Sequence, residues 1–306
     1  MKNTFLDKPA ITFSKTYNRL YLRHGPIDVF LSVECKNREL EYEAYRAVAN
    51  RFHTILEELS GELSLLRSAI TAGSPVPEGE IAKSQYYAAR NFSFDYFVTP
   101  MICVAGAIAD YLVRVVLDTV PATRVFANNG GDIAVNLFHG RHFDFAICND
   151  LKRGTLRDTI IINQSDCIGG IATSGWSGRS HSLGIADAVT VLASSAVIAD
   201  AAATLIANAV DLPGSKKVTR VAARELAPDS DLGEKLVTVD VADLDGFEKQ
   251  TALSSGASVA KEMLACGLIK TAYLSLQSNS VVVCDTKSDN KLSYLHNNLE
   301  GRHAYA

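Results

Sequence analysis

The chain lacks the short motifs that mark the common nucleotide-processing and hydrolytic folds. It holds no GxxxxGK(S/T) phosphate loop, no GxGxxG dinucleotide turn, no HExxH pair and no GxSxG elbow. These absences argue against a P-loop NTPase, a Rossmann dehydrogenase, a zincin and an α/β-hydrolase. Basic charge is also short: 30 Lys and Arg stand against 34 Asp and Glu, for a net charge of −4 and a pI near 6.0. That balance leaves no electrostatic footprint for nucleic acid. Lys216 and Lys217, the one adjacent lysine pair, read as a solvated turn. The six cysteines, at 35, 103, 148, 167, 266 and 284, include no CxxC spacing. A disulfide framework is not expected in so long a chain without an export signal, and residues 1–15 show no basic stretch followed by an apolar one. The expected location is a reducing cytoplasm.

Two apolar stretches, 98–120 and 188–210, invite a membrane reading and do not support it. Asp110, Arg114 and Asp118 break the first, and Asp200 sits at the centre of the second. A charge at the bilayer centre costs roughly 2.5–3.5 kcal/mol on insertion scales. Buried helices of a globular protein are expected instead, with no membrane partner. Hydrophobic content of 47% with 21% charged residues suits a sizeable core. No composition break divides the chain, so one domain over 1–306 is expected, with a polar irregular insert near 215–246 and a mobile tail from about 287.

Periodicity outlines the elements. Residues 17–36 alternate around His24-Gly25-Pro26 and predict a hairpin. Val48, Phe52, Ile55, Leu56, Leu59, Leu63 and Leu66 share one helical face within 40–70. Gly73 to Gly79 is a loop, and Tyr86 to Phe97 is an aromatic patch of undetermined structure. Residues 104–118 predict a helix whose first half is made of small residues, which admits either another helix or a ligand. Consecutive strands over 123–149, with turns at Asn128–Gly131 and His139–Arg141, favour antiparallel pairing. Further strands are expected at Thr159–Asn163 and Asp187–Ala193. A helix capped by Ser194 or Ser195 follows and stops at Asp211–Gly214. Phe247–Cys266 predicts a helix and Thr271–Cys284 a final hairpin.

Chemistry concentrates between Gly169 and Val210. Asp200, Thr204 and Asn208 fall on one face of the predicted helix. Buried polar side chains need partners, and the polar loop just upstream is where they are expected. That loop, Thr173-Ser174-Gly175-Trp176-Ser177-Gly178-Arg179-Ser180-His181-Ser182, offers hydroxyls, flexible backbone and a guanidinium fork, which suits phosphate or pyrophosphate. A plain surface loop is the competing reading. Asp200 and Thr204 supply hard oxygens at helical spacing, suited to Mg²⁺; a buried Asp that caps a nearby loop fits equally. Gly130, Gly131 and Asp132 form a glycine turn beside a carboxylate, read first as a hairpin turn. His181 is a candidate general base or a loop histidine. His139 and His142 read as surface residues. Cys103 and Cys167 read as small buried hydrophobes, with a nucleophilic or sulfur-carrying role conceivable for either.

Taken together, VAGAIADYLV (104–113), NNGGDI (128–133), and ATSG with ADAVTV and ADAAAT (172–204) resemble the FAD:protein FMN transferase (ApbE) superfamily, and within it the ApbE-like, UPF0280-type proteins. Thr173, Ser174, Gly175, Gly178, Ser180, Ser182, Gly184, Ala186 and Asp187 match the pattern TSG-x-x-G-x-S-x-S-x-G-x-ADAVTV. The resemblance covers about residues 15–285. It implies an α+β, T-fold-like architecture of antiparallel sheets packed on long helices. It implies that Asp200 and Thr204 hold Mg²⁺, that the helix bearing Ala105 and Gly106 lines a flavin site, and that Gly130, Gly131 and Asp132 border it. FAD or FMN becomes the expected cofactor, and a small phosphorylated ligand the expected partner, with a protein acceptor and a homodimer as further expectations.

Two departures bear on chemistry. The transferases carry a lysine in GIAKGYAVD where this chain has Gly106-Ala107-Ile108-Ala109-Asp110. Their H-x-x-D-P-x-T-G segment is shortened here to His181–Asp187. Two readings follow from the resemblance: a Mg²⁺-dependent flavin transferase with an altered site, or a non-catalytic accessory protein of the kind linked to sulfur insertion in homocysteine formation or to heterocycle reduction.

Overall fold

The computed structural model describes residues 8–138, 140–150 and 155–285. Alternation in sequence becomes alternation in burial along the first strands. β1 (Ala10–Ser14), β2 (Arg19–His24) and β3 (Ile27–Glu34) pair antiparallel. Leu20 and Leu22 on β2 are buried with Ile27, Val29, Leu31 and Val33 on β3, while Arg19, Arg23 and Phe30 lie outside.

The helices follow from spacing and caps. α1 (Arg38–Gly61) starts at Asn37, whose side chain accepts from the Leu40 N–H at 3.1 Å. Its buried face carries Ala44, Val48, Phe52, Ile55, Leu56 and Leu59. A short helix, α2 (Leu63–Leu66), follows. The sequence leaves 86–97 open; Tyr86 and Tyr87 prove to sit on α3 (Glu80–Arg90), the first buried and the second exposed. The buried face of α3 is built from Ile81, Ala82, Gln85, Tyr86 and Ala89, too few large apolar residues to advertise a helix. After a turn of 3-10 helix at Pro100–Cys103 comes α4 (Val104–Thr119). By length and composition Pro100–Thr119 is apolar enough to cross a membrane. Its residues Ala107, Ile108, Ala109, Leu112 and Val116 are instead buried, with α1, α3, β4 (Arg124–Asn129) and β5 (Asp132–Leu137) packed against it.

Along the rest of the chain run β6 (His142–Asp150), β7 (Thr155–Asn163), β8 (Gly170–Ser174), β9 (Ala188–Ala193), α5 (Ala196–Ala209), β10 (Val218–Ala222), α6 (Ala223–Leu226), β11 (Leu236–Val241), α7 (Gly246–Ala265), β12 (Thr271–Leu276) and β13 (Asn279–Cys284). The chain divides into two compact units. The first takes the described residues up to Arg141, with Asn163–Ile171 and Ser195–Ile198. Its strands run in the order β1-β2-β3-β4-β5-β8, every pair antiparallel.

The second unit takes His142–Ile162, Ala172–Ser194 and the described residues from Ala199 on. Here the end of β8 lies beside β9, then β12 and β13, and the last two pairs are antiparallel. β9 and β12 are buried at every residue, Thr190, Thr271 and Ser275 included. α7 packs on β12 and β13 behind a reciprocal cap between Asp245 and Glu248. The architecture is the expected α+β, with antiparallel sheets and long helices.

Segment 215–246 departs from expectation. It is not irregular: β10 and β11 pair antiparallel around α6. A register shift between Thr219 and Arg220 interrupts the alternation, which is why no strand pattern shows in the sequence. Ion pairs from Lys217 to Glu248 (2.7 Å) and from Arg220 to Asp211 engage two of its basic residues. The expected tail from 287 and His139 lie outside the described residues.

Candidate functional site

In the second unit, the Ser/Thr/Gly loop leaves β8 at Ser174 and is held down at both ends. Gly175 is needed at the first end, since a Cβ there would stand 2.5 Å from the Asp187 carbonyl oxygen. The Trp176 N–H donates to the Ala186 carbonyl at 3.0 Å, and the Gly178 N–H to the Gly175 carbonyl at 3.1 Å. The indole Nε1 of Trp176 donates to Asp187 Oδ1 at 3.3 Å, while the Gln277 backbone N–H donates to Asp187 Oδ2. Thr173 and Thr190 share a hydrogen bond between hydroxyls at 2.9 Å.

The far end is anchored by Ser182, which is 2% exposed. Its Oγ donates to Asn208 Oδ1 at 3.1 Å and accepts from the Gly184 N–H at 3.2 Å. The Leu183 N–H donates to the same Asn208 oxygen at 2.9 Å. A Cβ at Gly184 would stand 2.1 Å from the Ala207 carbonyl oxygen, so α5 and the loop touch backbone to backbone. The line Asp200–Thr204–Asn208 therefore does find a partner in the upstream loop, through Asn208. Gly178, Arg179 and Ser180 form an exposed tip between the anchors, and His181 beside them is half-buried. The side chains of Thr173 and Ser182 serve the loop's own structure.

Asp200 is buried and Thr204, one turn on, is half-buried. Among the described residues no three His, Cys, Asp or Glu side chains converge as a metal cage. One carboxylate and one hydroxyl are too few to hold a resident ion alone. They do fit Mg²⁺ carried by a ligand's phosphates, an ion that keeps water and commonly takes only one or two carboxylates from the protein.

The first unit holds Ala105, Gly106, Gly130, Gly131 and Asp132. Gly130 and Gly131 make the β4–β5 turn, with φ of 69° and 117°, a backbone that L side chains rarely adopt. Asn128 Oδ1 accepts from the Gly131 N–H at 2.9 Å. Asn129 ties this turn to α4: it accepts from the Asp28 N–H at 3.3 Å and donates from Nδ2 to the Ala105 carbonyl at 3.1 Å. The structure thus joins Ala105 to the glycine turn through a residue that sequence reasoning passed over.

Gly106 has a different explanation from a ligand. A Cβ there would stand 2.3 Å from the Ala196 carbonyl oxygen and 2.9 Å from the Val197 nitrogen. The small residue admits the helix terminus. Asp110, one turn later, accepts from the Ala196 N–H at 3.0 Å and from the Val197 N–H at 2.9 Å. The first amides of α5 are thus capped from α4, where the sequence predicts a local cap at Ser194 or Ser195. Burial pushes the Asp110 carboxyl up to about 6, against the pull of the two amides and Arg114. The signal was present: an Asp inside an apolar helix needs a partner.

These features define an antiparallel α+β protein with a pinned Ser/Gly loop and a glycine-enabled helix contact. Residues 11–285 match the family described as AbpE bacteria, and the chain belongs to it. Its relatives include a UPF0280 protein of Methanopyrus kandleri, 38% identical over 143 residues, or 45% of this chain and 54% of that protein. A UPF0280 protein of Methanocaldococcus jannaschii is 40% identical over 113 residues, covering 37% and 45%. The chain spans about half the length of these curated relatives. Among solved structures, the flavin transferase ApbE from Vibrio cholerae aligns over 91% of this chain and 97% of its own, at 12% identity and a TM-score of 0.43. The ApbE-like, UPF0280-type affinity read from the motifs holds.

Proposed function

We propose that this chain binds a flavin or a similar phosphorylated nucleotide, with Mg²⁺ arriving on the ligand's phosphates. The observation that carries this reading is the loop 173–182: two anchored ends present Gly178, Arg179 and Ser180 to solvent. A guanidinium, a hydroxyl and glycine backbone on a pre-set frame suit phosphate oxygens, and anchoring lowers the ordering cost of binding. In this reading Arg179 and Ser180 hold phosphate, while Gly175 and Ser182 keep the loop in shape. Asp200 and Thr204 supply oxygens to the ion, which would neutralise charge on the phosphates.

The catalytic extension is transfer of FMN from FAD to a Ser or Thr hydroxyl of a protein acceptor. The acceptor oxygen would form the new bond to the FMN phosphorus, AMP would leave, and His181 is the candidate to take the hydroxyl proton. The alternative is a non-catalytic accessory role. It draws support from Asp110, which lies in the stretch where the transferases carry a lysine and is committed to capping α5.

Calorimetric titration with FAD, with and without Mg²⁺, tests the binding. Arg179→Ala is expected to weaken it by about 10- to 100-fold, the worth of a charge-assisted hydrogen bond, with the fold intact. Asp200→Asn is expected to remove only the Mg²⁺-dependent part. No binding of FAD under either condition overturns the proposal. Mass spectrometry of candidate acceptors then separates transfer, which adds FMN, from an accessory role, which adds nothing.

A further inference from the structure

Asp110 lies within the otherwise apolar first half of α4, and its carboxylate spans the amino end of α5. Oδ1 accepts from Ala196 and Oδ2 from Val197, at 3.0 and 2.9 Å. Two glycines let the backbones come this close. Gly106 leaves room for the Ala196 carbonyl, and a Cβ at Gly170 would stand 2.1 Å from the Ala196 nitrogen. The first amides of a helix have no partner within it, so a carboxylate there satisfies donors the helix cannot.

We propose that Asp110 is a titrating cap delivered from another helix, whose protonation state sets how firmly the first turn of α5 is held on α4. Two effects oppose each other. The ionised carboxylate gains two charge-assisted hydrogen bonds and the favourable helix dipole. The protonated carboxyl keeps one good acceptor oxygen but buries no charge. Burial is the largest influence and lifts the carboxyl from 3.8 to about 6. The closed turn therefore binds a proton more tightly than an opened, solvated one, and opening becomes easier as pH rises from about 4 to 7.

The charged group whose field reaches Asp110 is Arg114, one turn on, itself paired with Glu80 of α3 at 2.7 Å. From α1 come Arg51 and Glu58, paired with each other at 2.6 Å. β3 brings Asp28 and Glu34, β4 brings Arg124, paired with Glu34 at 2.9 Å, and β5 brings Asp132. α5 itself carries Asp200, three residues past Val197. The device is independent of the ligand reading.

Hydrogen exchange of the full chain tests it. Corrected for intrinsic rates, the protection of Ala196 and Val197 is expected to fall about 20- to 30-fold between about pH 4.5 and 7.5. Asp110→Asn is expected to make it flat. A flat wild type, or a variant that keeps the slope, overturns the proposal. Should the variant not fold, carbon NMR of the wild-type Asp110 carboxyl decides. A midpoint near 6 shared by the Ala196 and Val197 amide shifts supports the cap, and a midpoint at or below about 4.5 overturns it.

Discussion

Gln85 is the residue whose position looks most costly. It is fully buried on α3, and neither its Oε1 nor its Nε2 has a hydrogen-bond partner among the described residues. Each buried orphan costs about 1–3 kcal/mol. Gln85→Met keeps the shape and removes both orphans, so it is expected to stabilise the fold by about 1–2 kcal/mol in urea unfolding. A loss of stability instead would show that the amide has a partner, such as an ordered water. Asn208 is the opposite case. One side-chain oxygen serves both the Ser182 hydroxyl and the Leu183 amide. Asn208→Ala leaves those two donors without it and is expected to cost about 2–3 kcal/mol. The need for such partners was legible from the Asp200–Thr204–Asn208 spacing. The roles of Asp187 and Asn129 were not, because each depends on a residue far along the chain.

At the scale of elements, legibility followed periodicity. The β2–β3 and β12–β13 hairpins, α1, α4, α5 and α7 showed in sequence because one face of each is consistently apolar, or the whole run is. Among the elements that escaped are β1, α3, β10 and β11. β1 is short and its burial does not alternate cleanly. α3 buries Ala and Gln where a pattern search looks for Leu. β10 and β11 are half-polar and carry a register shift. The small residues of α4 were legible as a close approach, but what approaches was not, and the glycines of the loop before β9 read only as flexible backbone. Two substitutions separate close approach from simple flexibility. Gly106→Ala should lose stability despite about 1 kcal/mol of gained helix propensity, because the new Cβ meets the Ala196 backbone. Gly61→Ala, at the end of α1 with nothing within 4 Å of the new Cβ, should gain about 0.5–1 kcal/mol. Thermal melts of both variants check the pair, and equal effects would remove the backbone contact as the reason for Gly106.

For the molecule as a whole, Asp110 sets an unusual sign on the dependence of stability on pH. Most carboxylates that gain partners on folding titrate lower in the folded state and favour neutral pH. Glu58 beside Arg51 and Glu248 beside Lys217 are of that kind, though Glu58 is exposed and Glu248 half-exposed, so solvent screens both. Asp110 is displaced the other way, from 3.8 to about 6, and burial raises Asp211 in the same direction. Between those two values the Asp110 site holds more of a proton in the folded chain than in the unfolded one, so its contribution to stability falls as pH rises. The loss begins near pH 4 and is complete by about pH 7, and Asp110 alone contributes about 2–3 kcal/mol. Urea unfolding of wild type and Asp110→Asn at about pH 4.5, 6 and 7.5 isolates the term. The difference between the two proteins is expected to shift toward the variant by about 2 kcal/mol across the series. A difference that stays constant with pH would mean that the buried carboxylate keeps an ordinary affinity for its proton.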